Sequence, residues 1–452
     1  MLISPTSASA NAQLTWQPFL DIIPQTLDVK QKVSPKHFTR TRKLPLPKII
    51  TSTLSIVANG NHNGIDHQIG DLFRSARRSG LWLAPPPIHR TSLVKARQKV
   101  PWELFQETLY NAVEVAYDLW PDDPQYTWKG LSVYAIDGSK YTVPATPENR
   151  AEFDPDSGLD HAGKGHYPQC LVSTLYDVFR RLPVARTIVS IHGSEREDAA
   201  ALLPQVPAKS VLLFDRGYPS YDLFRLLTTT YHQHVIFRCP ASSTFPAVEA
   251  FMKSRKSEAT IWITPSNKAL ARLTLRQRTR LKAIKLRVIL LQHPDGTVSV
   301  LLTNLLNRRQ YPREDIIALY FRRWRVETYY RDEKVTLEIE TFHSRKPNEI
   351  RQELFAAMIM TVIAHTLMLM AASAYLKESQ HCQFKHAILT LAAEAALLVP
   401  DDPDQAISIF TELIQEIARV KYYPPATPRP SQPRINKHPV NKWSNRKRHT
   451  AP

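Results

Sequence analysis

The sequence predicts an α/β fold built on a mixed sheet, and three observations carry that prediction. Short β-rich runs alternate with helix-period segments between about 128 and 240, further β-like runs cluster between 241 and 305, and long helical patterns follow. At 452 residues the chain is long enough for two or three domains with a sizeable core.

In chain order, residues 1–125 begin with an irregular stretch rich in Ser, Pro, Thr and Asn, with no basic segment leading into an apolar signal core. Helical patterns occupy 71–79 and 102–120, and a polar linker lies at 59–64. The run Pro85-Pro86-Pro87 forbids one continuous helix, so this part reads as a small helical module. Region 126–240 carries strands at 131–137, 140–143, 170–178, 184–191, 211–215 and 234–239, with helices near 196–204 and 220–229.

Region 241–305 is β-rich, with runs at 260–263, 283–290 and 298–302, the last two joined by the hairpin turn His293-Pro294-Asp295-Gly296. Its cations Arg272, Arg276, Arg278, Arg280, Lys282, Lys285 and Arg287 could track a polyanion or simply form a solvated face. Core elements resume over 306–380: a helix at 312–336, opened by Pro312 where a missing N–H is tolerated, and an apolar helix at 348–376. The uncharged run 354–376 has the length of a bilayer span, but a helix buried against a sheet is the expected form. Helices over 381–420 follow, then a Pro-, Lys-, Arg- and Asn-rich tail, 421–452, whose composition predicts disorder.

A formal charge of +18 favours a polyanionic partner, with nucleic acid, anionic lipid and a ribosomal surface all open on charge alone. Cys170, Cys239 and Cys382 are few and scattered, which indicates neither a disulfide framework nor a zinc site and suits a reducing cytosol.

Chemistry is concentrated in three acids. Asp137 and Asp215 each end a buried-looking strand, where an acid is costly unless paired or coordinated. The third is Glu327: at roughly 100° per residue, Tyr320, Arg323, Glu327, Arg331 and Lys334 share one stripe of the helix. Such a stripe also suits a solvated helix laced with ion pairs. Together, though, the three carboxylates can supply the oxygen ligands that two Mg²⁺ ions require. Asp332 and Glu333 compete with Glu327 but point off the stripe. His161 and His166 read as a polar loop, Asp401 and Asp402 as a helix cap and turn, Trp262 as core, and Glu195 as the acidic start of a helix.

The spacing Tyr320, Arg323, Glu327, Lys334, preceded by Asp137-Gly138-Ser139-Lys140 and Asp215-Arg216-Gly217-Tyr218, resembles the DDE transposases of bacterial insertion sequences, specifically the insertion-sequence-four group. Segments 347–354 and 92–97 echo the same family, the latter its upstream DNA-binding region, so the likeness runs from about 90 to about 376. The resemblance implies a ribonuclease-H-like core with a β-rich insertion, preceded by a helical DNA-binding module. It also implies Asp137, Asp215 and Glu327 as catalytic metal ligands, and Tyr320, Arg323, Arg331 and Lys334 as DNA contacts. Two Mg²⁺ ions, with Mn²⁺ as substitute, would serve cleavage and strand transfer on terminal-repeat and target double-stranded DNA, through a hairpin. A homodimer working in the bacterial cytoplasm at the nucleoid, without a membrane, completes the expectation.

Overall fold

A computed structural model describes residues 16–26, 36–38, 44–60, 63–83, 88–156, 166–240, 245–266, 270, 274, 281–292 and 296–424. Five helices come first: α1 (16–26), α2 (Leu46–Asn59), α3 (Ile65–Arg78), α4 (Arg90–Arg97) and α5 (Glu103–Leu119). Strand β1 (Ser132–Thr142) leads to α6 (Pro147–Phe153), β2 (Gln169–Asp177), β3 (Leu182–Ser190), α7 (Glu195–Leu202), β4 (Ser210–Phe214), α8 (Tyr221–Arg225) and β5 (His234–Pro240). Next come α9 (Pro246–Lys253), β6 (Glu258–Ile263), β7 (Ile284–Gln292), β8 (Val298–Thr303), α10 (Arg313–Phe321) and α11 (Trp324–Arg331). The last helices are α12 (Pro347–Tyr375), α13 (Phe384–Ala393) and α14 (Pro403–Arg419).

These elements form two compact units. One comprises 1–119, 141–170 and 335–452; the other comprises 120–140 and 171–334. The second unit is organised by one eight-stranded sheet in the order β3-β2-β1-β4-β5-β8-β7-β6. Within it β1, β4 and β5 run parallel, whereas β5–β8, β8–β7 and β7–β6 are antiparallel. The first five strands have the ribonuclease-H-like order, and the strands of the β-rich region extend the same sheet through β8. Buried runs such as Val211-Leu212-Leu213-Phe214, entirely without exposure, explain why β4 reads as continuous apolar sequence: a central parallel strand is covered on both faces.

In the helical unit, α12 is buried along most of its length and packs against α2, α5, α13 and α14, so its neighbours there are helices rather than the expected sheet. It is long and apolar enough to cross a membrane, yet 78% of its most apolar window is buried inside the protein. A helix apolar all round needs partners on every side, and here helices supply them. Its charged first turns are buried with α4: Arg97 Nη2 lies 2.9 Å from Glu353 Oε1, and Arg97 Nε donates to Gln352 Oε1 at 3.2 Å. Arg97, in a segment expected to face DNA, is therefore only 2% exposed, and it joins the two family-like segments 92–97 and 347–354 to each other.

Several local expectations change. The proposed strands at 131–137 and 140–143 are one continuous β1. The helix expected at 312–336 is broken: amides of Arg322, Arg323, Arg325 and Val326 each bond the carbonyl three residues back, tightening the chain between α10 and α11, and Asp332–Thr336 then widens into a π turn. Trp262, expected in the core, is 57% exposed on β6 with Lys285 Nζ 5.8 Å above its ring, because its side of the sheet edge is open to solvent. The tail beyond 424, His161, Pro85-Pro86-Pro87, the 293–295 turn and Arg272, Arg276, Arg278 and Arg280 lie outside the described residues.

Candidate active site

Sheet register places the two aspartates. In the parallel pairing of β1 with β4, Ser132 stands opposite Ser210 and Ala135 opposite Leu213. Carrying that offset two residues on sets Asp137 level with Asp215, at the carboxyl end of adjacent strands where open α/β sheets form their ligand crevices. Asp215 follows the last residue of β4, so its side chain belongs to a loop on a rigid stem.

The helical side of the site is tied to these acids by one guanidinium. Arg323 Nη2 donates to Glu327 Oε1 at 2.8 Å, an i,i+4 pair, and its Nη1 lies 3.6 Å from Asp137 Oδ2. Tyr320 donates its hydroxyl to Asp215 Oδ1 at 3.5 Å, and Arg238 Nη1 lies 3.9 Å from the same oxygen. Two further bonds fix the helix against β1: the Tyr330 hydroxyl donates to the Asp137 carbonyl at 2.6 Å, and Lys334 Nζ donates to the Lys140 carbonyl at 2.5 Å. The π turn carries Lys334 to that carbonyl.

Electrostatics register the crowding. Burial pushes the Asp137 carboxyl up to about 7, with Glu327, Asp215 and Glu195 pushing the same way and Arg323 opposing. Burial likewise raises Tyr320 to about 12, against the pull of Arg323. For Arg323 burial disfavours its charge, but Tyr320 and the three acids outweigh it and hold the guanidinium more firmly protonated. Among the described residues no three acidic, His or Cys side chains close into a ready-made metal cage. The donor set nonetheless suits a hard divalent cation: oxygen-only ligands, and an acid that holds its proton into the neutral range.

The remaining sequence candidates divide cleanly. Arg331 is 67% exposed, its Nε 3.9 Å from Asp332 Oδ1. Glu333 is fully buried, both oxygens accepting from Arg186 Nη2 at 2.9 Å and Oε1 also taking the Tyr329 hydroxyl at 2.5 Å, which withdraws it from the crevice. His166 pairs with Asp154 at 3.4 Å, and Asp402 caps α14 through the amides of Asp404 and Gln405. Arg287 of the basic run is buried on Glu258 at 2.6 Å. Glu195 does open α7, but its carboxylate faces the glycines that follow both aspartates. Sequence reading missed this; the signal was an acid beginning a helix beside two glycine-containing acid motifs.

A family model described as "Transposase DDE domain" matches residues 128–363, which include all three acids and the whole sheet. The chain belongs to the transposase DDE-domain family. Transposase InsG for insertion sequence element IS4, from Escherichia coli strain K12, is 25% identical over 286 residues, covering 61% of this chain and 60% of that protein. A putative transposase y4zB from Sinorhizobium fredii is 25% identical over 243 residues, 52% of this chain and 58% of the relative. This DDE-domain chain thus spans about three-fifths of the length of these curated relatives. Among solved structures, the cryo-EM structure of the piggyBac transposase synaptic complex with hairpin DNA aligns over 93% of this chain and 87% of that one, at TM-score 0.46 and 10% identity.

Proposed function

We propose that this protein is the transposase of a bacterial insertion sequence, acting in the cytoplasm on nucleoid DNA. In this reading it binds the terminal repeats as a homodimer, cuts them and joins them to target DNA. The observation that supports this most is the electrostatic convergence on Asp137 of Asp215, from the neighbouring strand end, and Glu327, from α11.

Asp137, Asp215 and Glu327 would hold two Mg²⁺ ions, with Mn²⁺ as substitute. Such ions, when bound, acidify the attacking water or 3′-hydroxyl and stabilise the leaving oxygen. The chain's own residues do the rest. Arg323, which bridges Asp137 and Glu327 in the DNA-free protein, exchanges those carboxylates for a DNA phosphate, to which a guanidinium offers paired donors. Tyr320 packs beside that phosphate or an unstacked base, while Lys334 and the exposed Arg331 neutralise the flanking backbone.

The reaction is a series of displacements at phosphorus. Water forms a P–O bond and expels the 3′-oxygen, which takes up a proton. The freed 3′-hydroxyl then loses its proton, attacks a second phosphodiester and expels the 3′-oxygen of that strand, joining either the target directly or the opposite strand as a hairpin, which a further water must open to restore the 3′-hydroxyl before insertion. The helical unit carries recognition of the repeats.

The test is cleavage and strand transfer on paired terminal-repeat DNA with Mg²⁺, run beside Asp137→Ala, Asp215→Ala and Glu327→Ala. Each variant is expected to lose cutting while still shifting the DNA in a gel. Cutting without any joined product would identify a nuclease instead, and full activity in any of the three variants would remove that acid from the mechanism.

A further inference from the structure

We propose that Glu195 is a fourth carboxylate of the cation site, so that the chain presents four acids rather than three to the reacting phosphate. The proposal rests on the assignment of Asp137 and Asp215 as cation ligands made above. It adds a residue on a separate helix, α7, which belongs to none of the three acid motifs.

The argument is steric. A Cβ placed on Gly138, the residue after Asp137, would lie 2.8 Å from Glu195 Oε1 and 2.9 Å from its carboxyl carbon. A Cβ on Gly217, two residues after Asp215, would lie 3.7 Å from Oε2. The Glu195 carboxylate therefore spans the gap between the backbones that carry the two aspartates, and the missing side chain at 138 is what admits it. Any other residue there has a carbon inside normal contact distance, so Gly138 is needed for approach and not for an unusual φ.

Its placement is braced. Arg196, the next residue, donates from Nε and Nη2 to the Gly217 carbonyl at 3.1 and 2.9 Å, stapling the start of α7 to the Asp215 loop. Both flank a cleft of about 370 Å³ that Lys140, Ser194 and Gly217 also line. From beside these two backbones the Glu195 carboxylate adds to the repulsion that Asp215 and Glu327 exert on Asp137, and a helix start offsets only a fraction of that through its dipole. A divalent cation shared by these acids would turn the repulsion into coordination.

The measurement is Mn²⁺ binding to the DNA-free full chain, followed by the loss of the free-ion electron paramagnetic resonance signal. Glu195→Gln is expected to weaken binding about tenfold or more, since even outer partners of metal ligands contribute that much. Gly138→Ala, which pushes the carboxylate away while leaving its charge, is expected to weaken it too. Glu197→Gln, on the exposed side of the same helix turn, should bind as the parent does. Affinity within about twofold of the parent in Glu195→Gln, with Asp137→Asn still weakened, overturns the proposal and leaves the three-acid reading standing. Unchanged affinity in Asp137→Asn as well overturns both. If Glu195→Gln fails to fold, Gly138→Ala and Glu195→Asp decide the matter by the same titration.

Discussion

Glu353→Gln is the most revealing single perturbation of the fold, because it keeps the shape of the side chain and removes only its charge. Glu353 and Arg97 are 1% and 2% exposed and lie 2.9 Å apart, and the second carboxylate oxygen accepts from the His343 amide at 2.9 Å. Burial by itself pushes the Glu353 carboxyl up, yet Arg97 and His343 overcome it and hold the group down at about 2, against an ordinary 4.5. At about 1.4 kcal/mol per tenfold change in proton affinity, that difference corresponds to roughly 3 kcal/mol. The variant also strands the Arg97 guanidinium, and breaking a buried pair from one side costs about 3–5 kcal/mol. Urea unfolding at pH 7 should therefore show a loss of about 3–5 kcal/mol, and a double-mutant cycle with Arg97→Met should recover much of it. The sign with pH follows: a depressed carboxyl stabilises fully above 4.5 and loses its effect as pH falls through 2, so the gap between parent and variant should narrow over that interval. A loss under about 1 kcal/mol at pH 7 would refute the view that this pair holds α4 to α12.

Three further outcomes follow from the same contacts. Because burial raises Asp137 to about 7, its folded-state proton affinity exceeds the ordinary 3.8, and the stability it gives is lost as pH rises through 7; in EDTA, Asp137→Asn should melt about 2–4 °C above the parent at pH 8 and converge with it near pH 4, as read by differential scanning fluorimetry. Arg323→Ala should abolish the cleavage or hairpin step while keeping terminal-DNA affinity within a few-fold, and a cleavage gel matching the parent contradicts the phosphate exchange. Glu333→Gln, by stranding Arg186, should cost about 3 kcal/mol in chemical denaturation, whereas Asp332→Asn should change neither stability nor cutting by much.

The sequence by itself determined the elements whose cause is local. Apolar strand runs, helix periodicity and the i,i+4 spacing of Arg323 and Glu327 are written in consecutive residues, and they yielded the mixed sheet, while the ordered motifs around Asp137, Asp215 and Glu327 carried the resemblance to the family. Only the tertiary structure decided what depends on residues far apart in the chain. The offset that levels Asp137 with Asp215 is a property of strand pairing, and no local pattern encodes it. Arg97, in a segment that resembles a DNA-binding region, gave no sign of burial because its partner, Glu353, lies more than 250 residues away. Glu195 looked like an ordinary helix start because Gly138, whose missing side chain makes room for it, sits on a different element, within β1. Charge and hydropathy say what a side chain prefers; which of its preferences is met depends on the neighbours that folding brings to it.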